Sequence, residues 1–207
     1  MSLAVSNKSK QNLRVQQIVA IISVLLLLIK ITAYYLTNSV AILTDALESI
    51  VNVSAGFIGL YSLYIASKPA DQDHPYGHGK AEFISAAIEG TLISTAGALT
   101  IYKAVKTFFY PEVLLSVDTG IGLIALTAII NFIAGQYCIQ VGTRNQSMAL
   151  VASGRHLQTD TFSTLGIIAG LVLMYFTKLV WLDSVVAFLF GALILYTGYT
   201  ILMKSIA

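Results

Sequence analysis

The sequence predicts an all-α membrane protein of six transmembrane helices with both termini in the cytoplasm. Three observations carry that expectation. Of 207 residues, 57% are hydrophobic and only 11% are charged, less than half of the roughly 25% charge of a soluble domain. Mean hydropathy is +0.80, and the apolar residues gather into runs of the roughly 20 residues that cross a bilayer core as a helix. Those runs are continuously apolar, without the two-residue alternation of barrel strands.

Charges, Pro and Gly divide the chain into spans at about 15–36, 39–67, 82–107, 117–141, 147–176 and 181–203. A polar arm, residues 1–14, precedes the first span. That span is too long for a signal-peptide core and is followed by no small-residue cleavage site, so it is expected to stay in the membrane. The long second and fifth spans are expected to tilt or to project beyond the bilayer. Residues 15–207 thus form one six-helix transport domain, with no cytoplasmic C-terminal domain expected after the sixth span.

Basic residues set the orientation. Lys8, Lys10, Arg14, Lys68, Lys80, Arg144, Arg155 and Lys204 fall on one side, and Lys103, Lys106 and Lys178 on the other. The richer side is assigned to the cytoplasm. Lys30 remains inside the first span, near its outer end, and is expected to snorkel there. A net charge of +2 with no basic run among aromatics argues against nucleic acid. The single Cys138 excludes an intramolecular disulfide and reads as a small core residue.

Polar residues within the hydrocarbon carry the functional signal. Asp45, Glu48, Ser49 and Asn52 follow helical spacing along one face of the second span. Glu48 and Asn52 lie roughly 14–20 Å from its outer end. A carboxylate at that depth costs at least about 2.5 kcal/mol, which a cation, a proton or a water path must offset. In the fifth span His156 and Asp160 are again one turn apart. If the two faces meet, Glu48, Asn52, His156 and Asp160 offer three oxygen ligands and one imidazole. That set suits tetrahedral Zn²⁺ and is acceptable to Fe²⁺, Co²⁺ or Mn²⁺. A His–Asp pair alone would equally serve as an interhelical hydrogen bond, but two polar pairs at matching depth favour a metal. Asp45 is an auxiliary ligand, a proton carrier or a water-facing acid. Glu89, in the third span, lines a water path or pairs with Lys30. Gly166, Ala169, Gly170, Gly191 and Ala192 read as close helix packing.

The loop Asp71-Gln72-Asp73-His74-Pro75-Tyr76-Gly77-His78-Gly79-Lys80 holds two of the three histidines. Asp71, His74 and His78 can close on one ion, with Gly77 and Gly79 supplying backbone freedom; a simply solvated loop is the alternative.

With these residues in view, the chain resembles the cation diffusion facilitator family over nearly its whole length. The shared stretches are Leu25–Ile31 (LLLLIKI), Asn38–Leu43 (NSVAIL), Pro69–Glu82 (PADQDHPYGHGKAE) and His156–Asp160 (HLQTD). The resemblance implies a homodimer of six-helix protomers in the bacterial inner membrane that exports divalent metal in exchange for protons by alternating access. Zinc comes first as cargo, with iron, cobalt, cadmium or manganese also accommodated and no permanently bound cofactor. It implies a transport site at Glu48, Asn52, His156 and Asp160, and a loop site at Asp71, His74 and His78. Two departures stand out. Glu48 and Asn52 occupy positions where the family usually carries Asp or His, and Asp, so the metal preference of relatives does not transfer. The cytoplasmic domain common in the family is also expected to be missing.

An intramembrane metallohydrolase would need an open zinc position and a general base, often as His-Glu-x-x-His, a motif the sequence lacks. A scaffold or passive channel would not couple flux to a proton gradient. The expectation is therefore a secondary active transporter and not an enzyme.

Overall fold

A computed structural model describes residues 2–66 and 80–206. The loop residues Asp71, His74 and His78 lie outside the described residues. Six helices follow in chain order: α1 (Ser2–Thr37), α2 (Val40–Ala66), α3 (Lys80–Phe109), α4 (Val117–Asn145), α5 (Met148–Thr177) and α6 (Trp181–Ile206). All six are long and apolar enough to cross a membrane, and the chain is a multi-pass membrane protein. Helix α1 begins well before residue 15 because its polar arm continues the same helix; the part suited to lipid is Gln11–Thr37.

Only 22–39% of each span's most apolar window is buried, so every helix leaves part of its surface open to the surroundings. Leu25, Leu28, Ile129, Ile133, Leu189 and Leu193 are exposed, as apolar side chains in a hydrocarbon solvent should be. One end of the bundle carries exposed Tyr35, Phe109, Tyr110, Phe176 and Trp181, an aromatic belt of the kind found at membrane–water interfaces. It gathers the ends of α1, α3 and α5 and the start of α6, and is called the aromatic end below.

Small residues set the closest helix contacts. Helix α3 packs chiefly against α6 and α4 against α5, while α1 joins α4 and α2. A Cβ on Gly97 would stand 2.6 Å from the Leu195 backbone nitrogen. Gly135 and Gly154 face each other with equal intimacy: a Cβ on Gly154 would stand 2.6 Å from the Gly135 carbonyl oxygen. Gly191 abuts Thr100, Gly166 abuts Phe190 and Gly170 abuts Val186, which accounts for these three glycines as packing residues.

The register of α2 is fixed from α6. Asp183, in the first turn of α6, accepts from Ser39 Oγ at 2.6 Å, from the Val40 N–H at 2.7 Å and from the Ala41 N–H at 3.3 Å. Its carboxylate therefore sits at the positive end of the α2 dipole and satisfies otherwise orphan donors there. Ser39 Oγ also accepts from the Ile42 N–H at 3.1 Å, as an N-cap should. Asn38, at φ 55°, makes the reversal between α1 and α2 in the left-handed region that Asn tolerates.

Candidate metal centre

Three helices bring charge together inside the bundle. Helix α2 contributes Asp45 and Glu48, and α5 contributes Asp160, with one carboxylate oxygen from each lying within 4.8 Å of the other two. Asp45 is fully buried and Asp160 nearly so, while Glu48 is half-buried. Helix α1 supplies the counter-charge. Lys30 Nζ donates to Asp45 Oδ1 at 2.9 Å, to Ser49 Oγ at 2.9 Å and to Asp160 Oδ2 at 3.1 Å.

The snorkelling expected of Lys30 is therefore wrong, as is its pairing with Glu89. At 1% exposure its side chain is enclosed, because two carboxylates on neighbouring helices hold an ammonium better than the route to the interface does. Glu89 is half-buried on α3.

Neutral polar groups complete the shell. Thr164, one turn beyond Asp160, places its hydroxyl 3.0 Å from Asp45 Oδ1 and 2.9 Å from the Asp160 carbonyl, so its one proton can serve either acceptor. Asn131, on α4, donates its side-chain amide to Asp160 Oδ2. Two buried carboxylate oxygens keep no hydrogen-bond partner among the described residues: Asp45 Oδ2 and Asp160 Oδ1. Buried acceptors left open in this way are suited to a cation, because an unpaired buried oxygen is otherwise costly.

The remaining expected ligands are placed differently. Asn52 is half-buried one turn along α2 from Glu48. His156 is exposed one turn before Asp160 and does not belong to the three-carboxylate group. Asp45, expected as an auxiliary ligand, a proton carrier or a water-facing acid, is a full member of it. Sequence reasoning passed over Asn131 and Thr164. The available signals were an isolated amide in an otherwise apolar stretch of α4 and a hydroxyl four residues after Asp160.

Six membrane-crossing helices with a buried carboxylate cluster between them define an integral membrane protein with a charged site inside its bundle. The model of the cation efflux transmembrane domain matches residues 17–207, and the chain belongs to that family, the cation diffusion facilitators. It is 35% identical over 179 residues to an uncharacterised transporter of Synechocystis, covering 86% of this chain and 58% of the relative. It is 31% identical over 182 residues to the manganese efflux system protein MneS of Bacillus subtilis, covering 86% and 61%. It is 29% identical over 174 residues to the cation-efflux pump FieF of Serratia proteamaculans, covering 84% and 58%. The chain thus spans about three fifths of the length of these relatives.

Proposed function

We propose that this chain exports divalent transition-metal cations by metal/proton antiport, as a homodimer in a bacterial inner membrane with both termini cytoplasmic. The observation that carries the reading is the convergence of Asp45, Glu48 and Asp160 from α2 and α5 inside the span region. Membership of the cation efflux family supports it. The transport site comprises Glu48, Asn52, His156 and Asp160, with Asp45 as a further oxygen donor. Asp71, His74 and His78 form a secondary loop site, where water can satisfy the same groups and loss of metal does less harm.

The mechanism follows from ligand chemistry. Carboxylates and imidazole bind a metal only when deprotonated, so metal and protons compete for one set of atoms. Opening the site to one side of the membrane with metal and to the other with protons then couples the two fluxes.

The cargo depends on His156. With its imidazole swung onto the cluster the donor set suits Zn²⁺ first, and accepts Fe²⁺, Co²⁺ or Cd²⁺. The exposed position of His156 favours a second reading. Carboxylate and amide oxygens alone form a hard donor set that suits Mn²⁺, the ion named for the Bacillus relative.

The test is uptake of Zn²⁺, Mn²⁺, Fe²⁺, Co²⁺ and Cd²⁺ into proteoliposomes carrying a pH-sensitive dye. Saturable uptake with counterflow of protons is expected for the wild type, and its loss for Asp160→Ala with folding retained. Near-normal uptake by that variant would remove Asp160 from the site, and metal flux without proton movement would remove antiport.

A further inference from the structure

We propose that the Lys30 ammonium occupies the cation position of the acidic cluster as a tethered counter-ion, and that a divalent metal binds by displacing it from Asp160. The inference rests on the metal-site reading above and adds what holds the site when no metal is there.

Lys30 belongs to none of the ligand-bearing helices, yet its Nζ reaches Asp45 and Ser49 on α2 and Asp160 on α5. An ammonium has three protons, and these three acceptors use all of them. It takes one oxygen from each aspartate, and the second oxygens, Asp45 Oδ2 and Asp160 Oδ1, are buried carboxylate atoms left without a hydrogen-bond partner among the described residues. An arriving ion therefore finds two open oxygens, with Glu48 close by, but it also finds a fixed positive charge beside them. Three carboxylates against one ammonium leave two net negative charges when all are ionised, enough to match one divalent ion.

Two cations this close in a low-dielectric interior repel strongly. The four-carbon stem of lysine is flexible, so the ammonium can withdraw from Asp160 while keeping Ser49 as an acceptor. It can return when the metal departs. Metal binding is then an exchange of one cation for another, which weakens affinity and speeds release. A lysine that merely held the carboxylates in place would have the opposite effect, since its removal would weaken binding.

The experiment uses the full chain, with Zn²⁺ and Mn²⁺ as probes. Lys30→Met should bind metal about tenfold tighter or more. In proteoliposomes its KM should fall, and its kcat should fall by about tenfold as release slows. Lys30→Arg keeps the charge and should stay within about threefold of wild-type affinity. Weaker binding by Lys30→Met, or Lys30→Arg binding as tightly as Lys30→Met, would overturn the proposal. Lys30→Gln should follow Lys30→Met and serves if the apolar variant does not fold. A readout on the wild type itself comes from ¹⁵Nζ-lysine NMR, with the Lys30 signal assigned by its loss in Lys30→Arg. Saturating Zn²⁺ should shift that signal, and an unmoved signal refutes displacement. Failure of the metal-site reading looks different: the wild type would bind neither ion, or Asp160→Ala would bind as well as the wild type.

Discussion

Asn131 donates its amide to the same oxygen of Asp160, Oδ2, that accepts from Lys30. With Oδ2 taken by two donors, Oδ1 is the Asp160 oxygen left without a partner among the described residues. On the proposed reading of the site, Asn131 orients Asp160 without itself touching the metal. Partners of this kind typically govern a 10–100-fold range of metal affinity. Asn131→Leu is expected to lose about tenfold or more in calorimetric Zn²⁺ or Mn²⁺ affinity with helix content unchanged. Equal affinity would reduce the contact to packing.

Asn52→Asp tests the clearest departure from the family pattern. A carboxylate in place of the amide adds negative charge and a group that is protonated when empty, so binding should tighten and release more protons. Affinity should then rise more steeply with pH in the variant than in the wild type. Calorimetry across about pH 5.5–7.5, in buffers of different ionisation enthalpy, reads both quantities. A variant that bound no tighter and released no more protons would exclude Asn52 as a ligand.

Asp183→Ala should destabilise the fold by about 1–3 kcal/mol, because it strips the cap from α2 and leaves the Val40 and Ala41 N–H groups buried without an acceptor. Asp183→Asn keeps an accepting oxygen and should lose less. Thermal unfolding in detergent distinguishes the two, and equal midpoints for all three proteins would show that the cap adds nothing.

Gly97→Val should cost about 1–3 kcal/mol by forcing α3 away from the Leu195 backbone. Gly122, with nothing within 4 Å of a built Cβ, supplies the contrast. Gly122→Ala should be neutral or stabilising by about 0.5–1 kcal/mol, since it replaces the most flexible residue within a helix. A similar loss in both would mean that close contact between α3 and α6 does not set the Gly97 position apart.

Hydropathy located the spans well because a bilayer imposes one length and one polarity on every crossing. The second span, expected at about 39–67, is Val40–Ala66, and the fifth, expected at about 147–176, is Met148–Thr177. It could not mark the true start of α1, since a helix needs no lipid to continue into its polar arm. Helical spacing showed that Asp45 and Glu48 share a face, and burial cost showed that such a face needs a cation, a proton or a water path. Neither reaches across helices. Lys30 was misjudged because snorkelling weighs a lysine against its own helix end, whereas its partners lie 15, 19 and 130 residues away. Asn131 and Thr164 carry no charge, so their local signals are weak beside the many hydroxyls that merely bond their own helix, as Thr127 does.

The Asp183 cap makes the first turn of α6 and the first turn of α2 a single mechanical piece at the aromatic end. Asp45 lies only four positions after Ala41, and Glu48 only seven. A swing of α6 that keeps those bonds must drag the acidic ledge of α2 with it, while Asp160 rides on α5. Any relative motion between α6 and α5 would thereby change the distance between the carboxylates themselves, and would gear the spacing of the proposed site to the posture of the bundle.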